Sequence, residues 1–133
     1  RLRFAETLQA NGELFTRNLR DARSTDVYIT SGHETKDATW APRFIYHGFR
    51  YVEVGGYPNA KAEDFVAEVV EDEMEHTGSF NCSDETLNKI VRNAFWGIRS
   101  NYKGMPIDCP QRNERQPWLG DRHGMLGRKY AVQ

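Results

Sequence analysis

Between Asp84 and Tyr102 the apolar residues Leu87, Ile90, Val91, Ala94, Phe95 and Ile98 recur at steps of three and four. That spacing lines one face of a helix, so a helix of about five turns is predicted there. Ser83 is a good N-cap, and Asp84 and Glu85 place negative charge in the first turn, where the helix dipole favours it. Arg99 and Lys103 sit near the opposite end, and Gly104 is a natural stop. One apolar face without a partner helix in the sequence predicts that the rest of a helical domain lies beyond Gln133.

Upstream the period changes from three-and-four to two. Leu2, Phe4, Glu6 and Leu8 alternate with Arg3, Ala5 and Thr7, and Asn11-Gly12 then signals a turn. Leu14 to Arg23 is polar and irregular and reads as loop with room for a short strand. Thr25 to Thr30 is rich in β-branched and aromatic residues and ends at Ser31-Gly32. Trp40-Ala41-Pro42 punctuates the chain before the longest predicted strand, Arg43 to Val54. In it Phe49, Tyr51 and Glu53 face one way, and Arg50, Val52 and Val54 the other. Gly48 marks a bulge or a close backbone approach, and Gly55-Gly56-Tyr57-Pro58 ends the strand. The first half therefore suits an antiparallel sandwich that lacks its earlier strands.

Ala60 to His76 fits two periods. Phe65, Val66, Val69, Val70 and Met74 have helical spacing, yet Val66, Glu68 and Val70 also alternate with Ala67, Val69 and Glu71. Periodicity alone slightly favours the helix. A domain boundary is placed between about Met74 and Ser83.

Composition narrows the partners. Lys and Arg total 18 against 19 Asp and Glu, a net charge of −1, so no basic field marks a nucleic-acid partner. No run approaches a transmembrane span. Cys82 and Cys109 have neither CxxC nor Cys/His zinc spacing and read as two free structural thiols. A hydrophobic share of 38% and a mean hydropathy of −0.76 describe a chain short of core, so marginal stability in isolation is expected. Starting at Arg1-Leu2-Arg3-Phe4 and ending at Tyr130-Ala131-Val132-Gln133, the chain reads as a fragment straddling a domain boundary.

The stretch from Ile107 to Asp121 breaks every packing pattern. It holds Asp108, Glu114 and Asp121, the guanidinium groups of Arg112 and Arg115, and Trp118, set between prolines and Gly120. Acids beside arginines keep or lose their protons according to local burial, which is how carboxyls become catalytic acids and bases. An indole face offers a surface on which a sugar ring stacks, while acids and guanidinium groups hydrogen-bond its hydroxyls.

In its order this stretch resembles the hallmark of the bacterial α-L-rhamnosidases, Asp-x-Pro-x-Arg-Asp/Asn-Glu-Arg followed by Trp and Gly-Asp, here Asp108 through Asp121 with Asn113 in the variable slot. Phe44-Ile45-Tyr46-His47-Gly48-Phe49-Arg50-Tyr51-Val52-Glu53-Val54 is similar to the strand that closes the family's β-sandwich. Thr77-Gly78-Ser79-Phe80-Asn81-Cys82-Ser83-Asp84 through Leu87-Asn88 resembles the entry into its first barrel helix. Three motifs in the family's order are far harder to meet by chance than one.

The resemblance implies an α+β fragment: the C-terminal part of an antiparallel β-sandwich (1–76), then the first helix and active-site loop of an (α/α)6 barrel (77–133). It also turns the ambiguous segment into a final strand, about Val66 to Glu73. The activity implied is hydrolysis of terminal α-L-rhamnosyl groups from small glycosides or polysaccharides, by inversion, with no cofactor and no metal. Glu114 is then the general acid, Asp108, Arg112 and Asp121 hold sugar hydroxyls, and Trp118 lines the pocket. Asp121 near Glu114 would raise its affinity for the proton. The family's base is a Glu much further along the barrel, with no counterpart in this chain, so the fragment itself is expected to be inactive.

Blander readings stand beside these. Glu114 and the arginines also fit an exposed salt-bridge network, and Trp118 after Pro117 fits a helix's first turn as well as a pocket wall. Arg115 and Asn113 read as structural, Cys109 as packing rather than nucleophile, His47 as a strand histidine, and His123 only weakly as a proton shuttle. Trp40 and Trp96 read as core. The alternatives in function are another (α/α)6-barrel glycosidase with a different sugar preference, or a non-catalytic carbohydrate-binding module using Tyr28, Tyr46 or Tyr51. Compartment and oligomeric state are not legible.

Overall fold

The structure, a computed structural model, describes residues 1–34, 38–118 and 120. By backbone proximity the chain forms two units: residues 1–68 with 111–113, and residues 69–110 with 114–133.

The first unit is antiparallel β structure. Strands β1 (Leu2–Ala5), β4 (Thr25–Asp26) and β5 (Tyr51–Val54) form one sheet in the order β4-β1-β5, while β2 (Thr7–Leu8) and β3 (Leu14–Phe15) form a hairpin. Leu2 opposes Val54 and Arg3 opposes Glu53, and the Arg3 guanidinium donates to Glu53 Oε1 at 3.1 Å across that pair. Asn11-Gly12 turns the hairpin, closed by the Gln9 N–H donating to the Glu13 carbonyl at 2.8 Å. Gly12 has φ of +85°, the left-handed region glycine enters without steric cost.

The core of this unit is small. Phe4, Ala5, Leu14 and Leu19 are buried, Leu19 completely. Phe4 stacks on the His47 ring at 4.2 Å and meets Phe49 at 5.0 Å. His47 Nε2 in turn lies 3.0 Å from Asp26 Oδ1, both side chains buried. His47 is thus the structural histidine that its sequence context predicts.

Several strand expectations are shortened. The predicted Arg43–Val54 strand is regular only over Tyr51–Val54. Phe44 there adopts φ of +60°, a left-handed turn that no strand continues through, although the Arg50 N–H still reaches the Ala5 carbonyl at 2.9 Å. The Leu2–Leu8 alternation breaks at Glu6, and of Thr25–Thr30 only the first two residues pair. Residues 66–73 form no strand; Val66 is 84% exposed, and neither of its two candidate periods is used. Trp40 and Trp96, read as core, are both exposed. Trp40 stacks on Tyr28 at 5.3 Å, and Trp96 lies under the Arg99 guanidinium at 4.3 Å.

The second unit is organised by helix α1 (Glu85–Asn101). Its N-cap is Asp84 rather than Ser83: the Asp84 carboxylate accepts from the N–H groups of Thr86 at 2.8 Å and Leu87 at 3.3 Å. An aspartate adds a favourable charge at the dipole's positive end, which Ser83 cannot. Asn88, buried in the first turns, grips the entering chain by exchanging hydrogen bonds with the Cys82 backbone at 3.0 and 2.9 Å. Near the other end Arg99 pairs with Glu71, one of its bonds being 2.8 Å long. The apolar stripe runs as predicted, but Leu87, Ile90, Val91 and Phe95 are exposed.

Two outcomes test this account by urea unfolding. Leu19→Ala should cost about 3 kcal/mol through the cavity it leaves, whereas Val66→Ala should change stability by less than about 0.5 kcal/mol. Asp84→Ala should cost about 1 kcal/mol and lower helix content by circular dichroism, with Ser83→Ala near neutral.

Candidate active site

The loop that follows α1 is assembled from the backbone outward. Tyr102 caps the helix, its N–H donating to the Ile98 carbonyl, and bridges to Pro106. The Ile107 N–H then reaches back to the Asn101 carbonyl at 2.8 Å. With Ile107 and Cys109 buried on either side of it, Asp108 is set on an anchored piece of chain just past the helix.

From there the chain makes a long excursion and returns. The Asp108 N–H donates to the Gln116 carbonyl at 3.1 Å, and the Gln116 N–H donates to Asp108 Oδ1 at 2.9 Å. Arg115, between Glu114 and Gln116, has φ of +47°, an unfavourable conformation for a side chain of this kind, costing on the order of 1 kcal/mol. That reversal turns the Gln116 N–H toward Asp108 while Glu114 approaches the same carboxylate.

The result is a cluster of Asp108, Cys109 and Glu114 whose side-chain donor atoms all lie within 4.8 Å of one another. The Cys109 thiol, only 3% exposed, donates to Asp108 Oδ1 at 3.5 Å. Burial alone would push the Asp108 carboxyl up. Hydrogen bonds from the Gln116 N–H, the Cys109 thiol, the Glu114 carboxyl and its own N–H outweigh it, and leave Asp108 below its usual value of 3.8. One thiol and two half-buried carboxyls have the reach of metal ligands, but acidic groups at such spacing are common without an ion, and the internal hydrogen bonding already occupies them.

Of the site residues expected from sequence, Asp108 and Glu114 are brought together. Arg112 is half-buried and groups with the β unit, as does Asn113, whose side chain lies 3.5 Å from Asp21 Oδ2. Trp118 is 52% exposed. Asp121 and His123 lie outside the described residues. Two contributors escaped the sequence reading: the Gln116 peptide and the Cys109 thiol. Only the adjacency of Cys109 to Asp108 hinted at the second, and nothing in composition reveals the first.

Along the chain, antiparallel β structure is followed by a capped helix and then by a loop that brings two carboxyls together. Residues 1–71 match the model for the bacterial α-L-rhamnosidase concanavalin-like domain, and residues 75–131 that for the bacterial α-L-rhamnosidase 6 hairpin glycosidase domain. The chain belongs to the bacterial α-L-rhamnosidase family.

Individual relatives agree. An α-L-rhamnosidase of Formosa agariphila is 44% identical over 124 residues, 91% of this chain and 13% of the relative. The α-L-rhamnosidase of Dictyoglumus thermophilum superposes with a TM-score of 0.86 at 45% identity, covering 98% of this chain and 14% of that one. A Streptomyces avermitilis α-L-rhamnosidase solved with L-rhamnose gives 0.81 at 41% identity, over 90% and 12%. The chain thus spans about an eighth of the length of the relatives it matches.

The Asp108–Gln116 closure should respond to pH with a definite sign. A carboxylate whose folded value is lowered stabilises the fold above its unfolded value, and loses that contribution as pH falls through the lowered one. The Gln116 amide resonance should therefore hold its hydrogen-bonded shift down to pH about 4 and move only below it, near and under the usual aspartate range. In Asp108→Ala it should show the open position at every pH. An amide that moves near pH 6 in the wild type would contradict this geometry.

Proposed function

We propose that the whole protein carrying this chain hydrolyses terminal α-L-rhamnosyl groups from glycosides by single-displacement inversion, with Glu114 as the general acid. The observation that carries this reading is the close approach of the Glu114 and Asp108 carboxyls, whose oxygens lie within 4.8 Å of one another. Asp108 accepts from the Gln116 N–H and the Cys109 thiol, which favour its charged form. A neighbouring anion favours the protonated form of a carboxyl, the form that protonation of a glycosidic oxygen requires.

Distance supports a role other than base for Asp108. Asp108 lies within 4.8 Å of Glu114, whereas an inverting pair stands roughly 6.5–9.5 Å apart to admit the attacking water, and a retaining pair about 5–5.5 Å. Asp108 is too close to be the base. It orients Glu114 and, by family position, binds a sugar hydroxyl together with Arg112 and Asp121, with Trp118 as pocket wall. The base carboxylate then comes from elsewhere in the protein, and residues 1–133 alone should not turn substrate over. The sugar preference rests on the relatives, named α-L-rhamnosidases, one of which was solved with L-rhamnose. The boundary between the β and helical domains is placed, on the same reading, near residues 76–77.

The test compares wild type with Glu114→Gln in the whole protein on an aryl α-L-rhamnoside. The wild type should cleave it, and the variant should lose ~10² or more in rate. Wild type that leaves α-L-rhamnosides intact but cleaves another glycoside would move the assignment to a different sugar. A fully active variant would remove Glu114 from the chemistry.

A further inference from the structure

We propose that Cys109 is a positioning residue for the carboxyl pair, its buried thiol donating to Asp108 so that Asp108 stays the anion against which Glu114 is held. The proposal rests on the reading of Glu114 as the acid and adds a residue to it. Cys109 is 3% exposed, next in sequence to Asp108, and its Sγ lies 3.5 Å from Asp108 Oδ1. The same oxygen receives the Gln116 N–H at 2.9 Å, so two donors converge on one carboxylate oxygen.

A thiol suits this place for a physical reason. It is a weak donor on an apolar body, so it fills a buried position at little desolvation cost while still favouring the charged form of its neighbour. An arginine or lysine there would bind the carboxylate far more strongly and compete with Glu114 for it. Among the groups acting on Asp108 are the Gln116 and Asp108 peptide N–H groups, Cys109 and Glu114; Arg112 and Arg115 carry the positive charges nearest to Glu114 in sequence. Each donor to Asp108 stabilises its anion. Removing one moves the Asp108 midpoint upward, and the limb of the pH–rate profile that reports the carboxyl pair moves with it. Loss of packing alone would lower the plateau and leave the limbs in place.

The experiment uses the whole protein with Cys109→Ala and Cys109→Ser. Two quantities are read: the pH profile of kcat/KM on an aryl α-L-rhamnoside, and the titration of Asp108 followed by carbon-13 labelling of aspartate carboxyls. Cys109→Ala should move that limb and the Asp108 midpoint up by about half a pH unit. Cys109→Ser, which keeps a donor, should stay near wild type. A lowered plateau without a shift, or equal shifts in both variants, would overturn the proposal. Should Cys109→Ala fail to fold, Cys109→Val, which fills the space without a donor, takes its place. If the wild type cleaves no rhamnoside, the functional reading fails by itself, and the Asp108 titration still decides the role of the thiol.

Discussion

The reciprocal bonds between Asp108 and Gln116 are the constraint on which the site depends. One joins backbone to backbone at 3.1 Å, the other brings the Gln116 N–H to the Asp108 carboxylate at 2.9 Å. Together they pin the two ends of an excursion that contains Glu114. Without them the loop that carries Glu114 would not close on Asp108. The left-handed turn at Arg115 is the local cost of that closure. Strain of this size persists where surrounding contacts over-determine it, here the two bonds on one side and the buried Ile107 and Cys109 on the other.

The anchor for this loop lies in α1. The Asp84 cap fixes where the helix starts, Asn88 ties the incoming chain to it, and the Ile107 N–H ties the outgoing chain to Asn101. The position of Asp108 therefore follows from the last turn of a helix rather than from the loop's own preferences. Polar side chains at both ends of α1 do what its apolar stripe does not, since most of that stripe is exposed.

The helix was legible because its signal is redundant. Six apolar residues at helical spacing, acids at one end and bases at the other point to the same segment, and only the cap moved by one residue. The strands were less legible, because alternation reports which side chains suit a pleat and not whether the backbone finds a partner. Phe44 belongs to an apolar run yet turns left-handed, and Val66 to Glu73 satisfies two periods while forming no strand. Trp40 and Trp96 were assigned by hydrophobicity, but each finds a ring or a guanidinium at the surface instead of a core. In the site, the order of Asp108, Arg112 and Glu114 was visible, whereas the peptide donor from Gln116 was not. Backbone hydrogen bonds are available at every non-proline residue, so no residue type announces them.

Charge placement explains why this loop carries so many formal charges on a small scaffold. An anion at Asp108 is useful to Glu114 only if its cost is met locally by neutral donors. Two peptide N–H groups and a thiol are among the groups that stabilise it. Neutral donors act over a single contact, while a guanidinium acts on both carboxyls at once and favours ionising each. Asymmetry between two adjacent carboxyls thus arises from which of them the backbone addresses. Asp108 is addressed by the Gln116 peptide and the Cys109 thiol, each through a single contact.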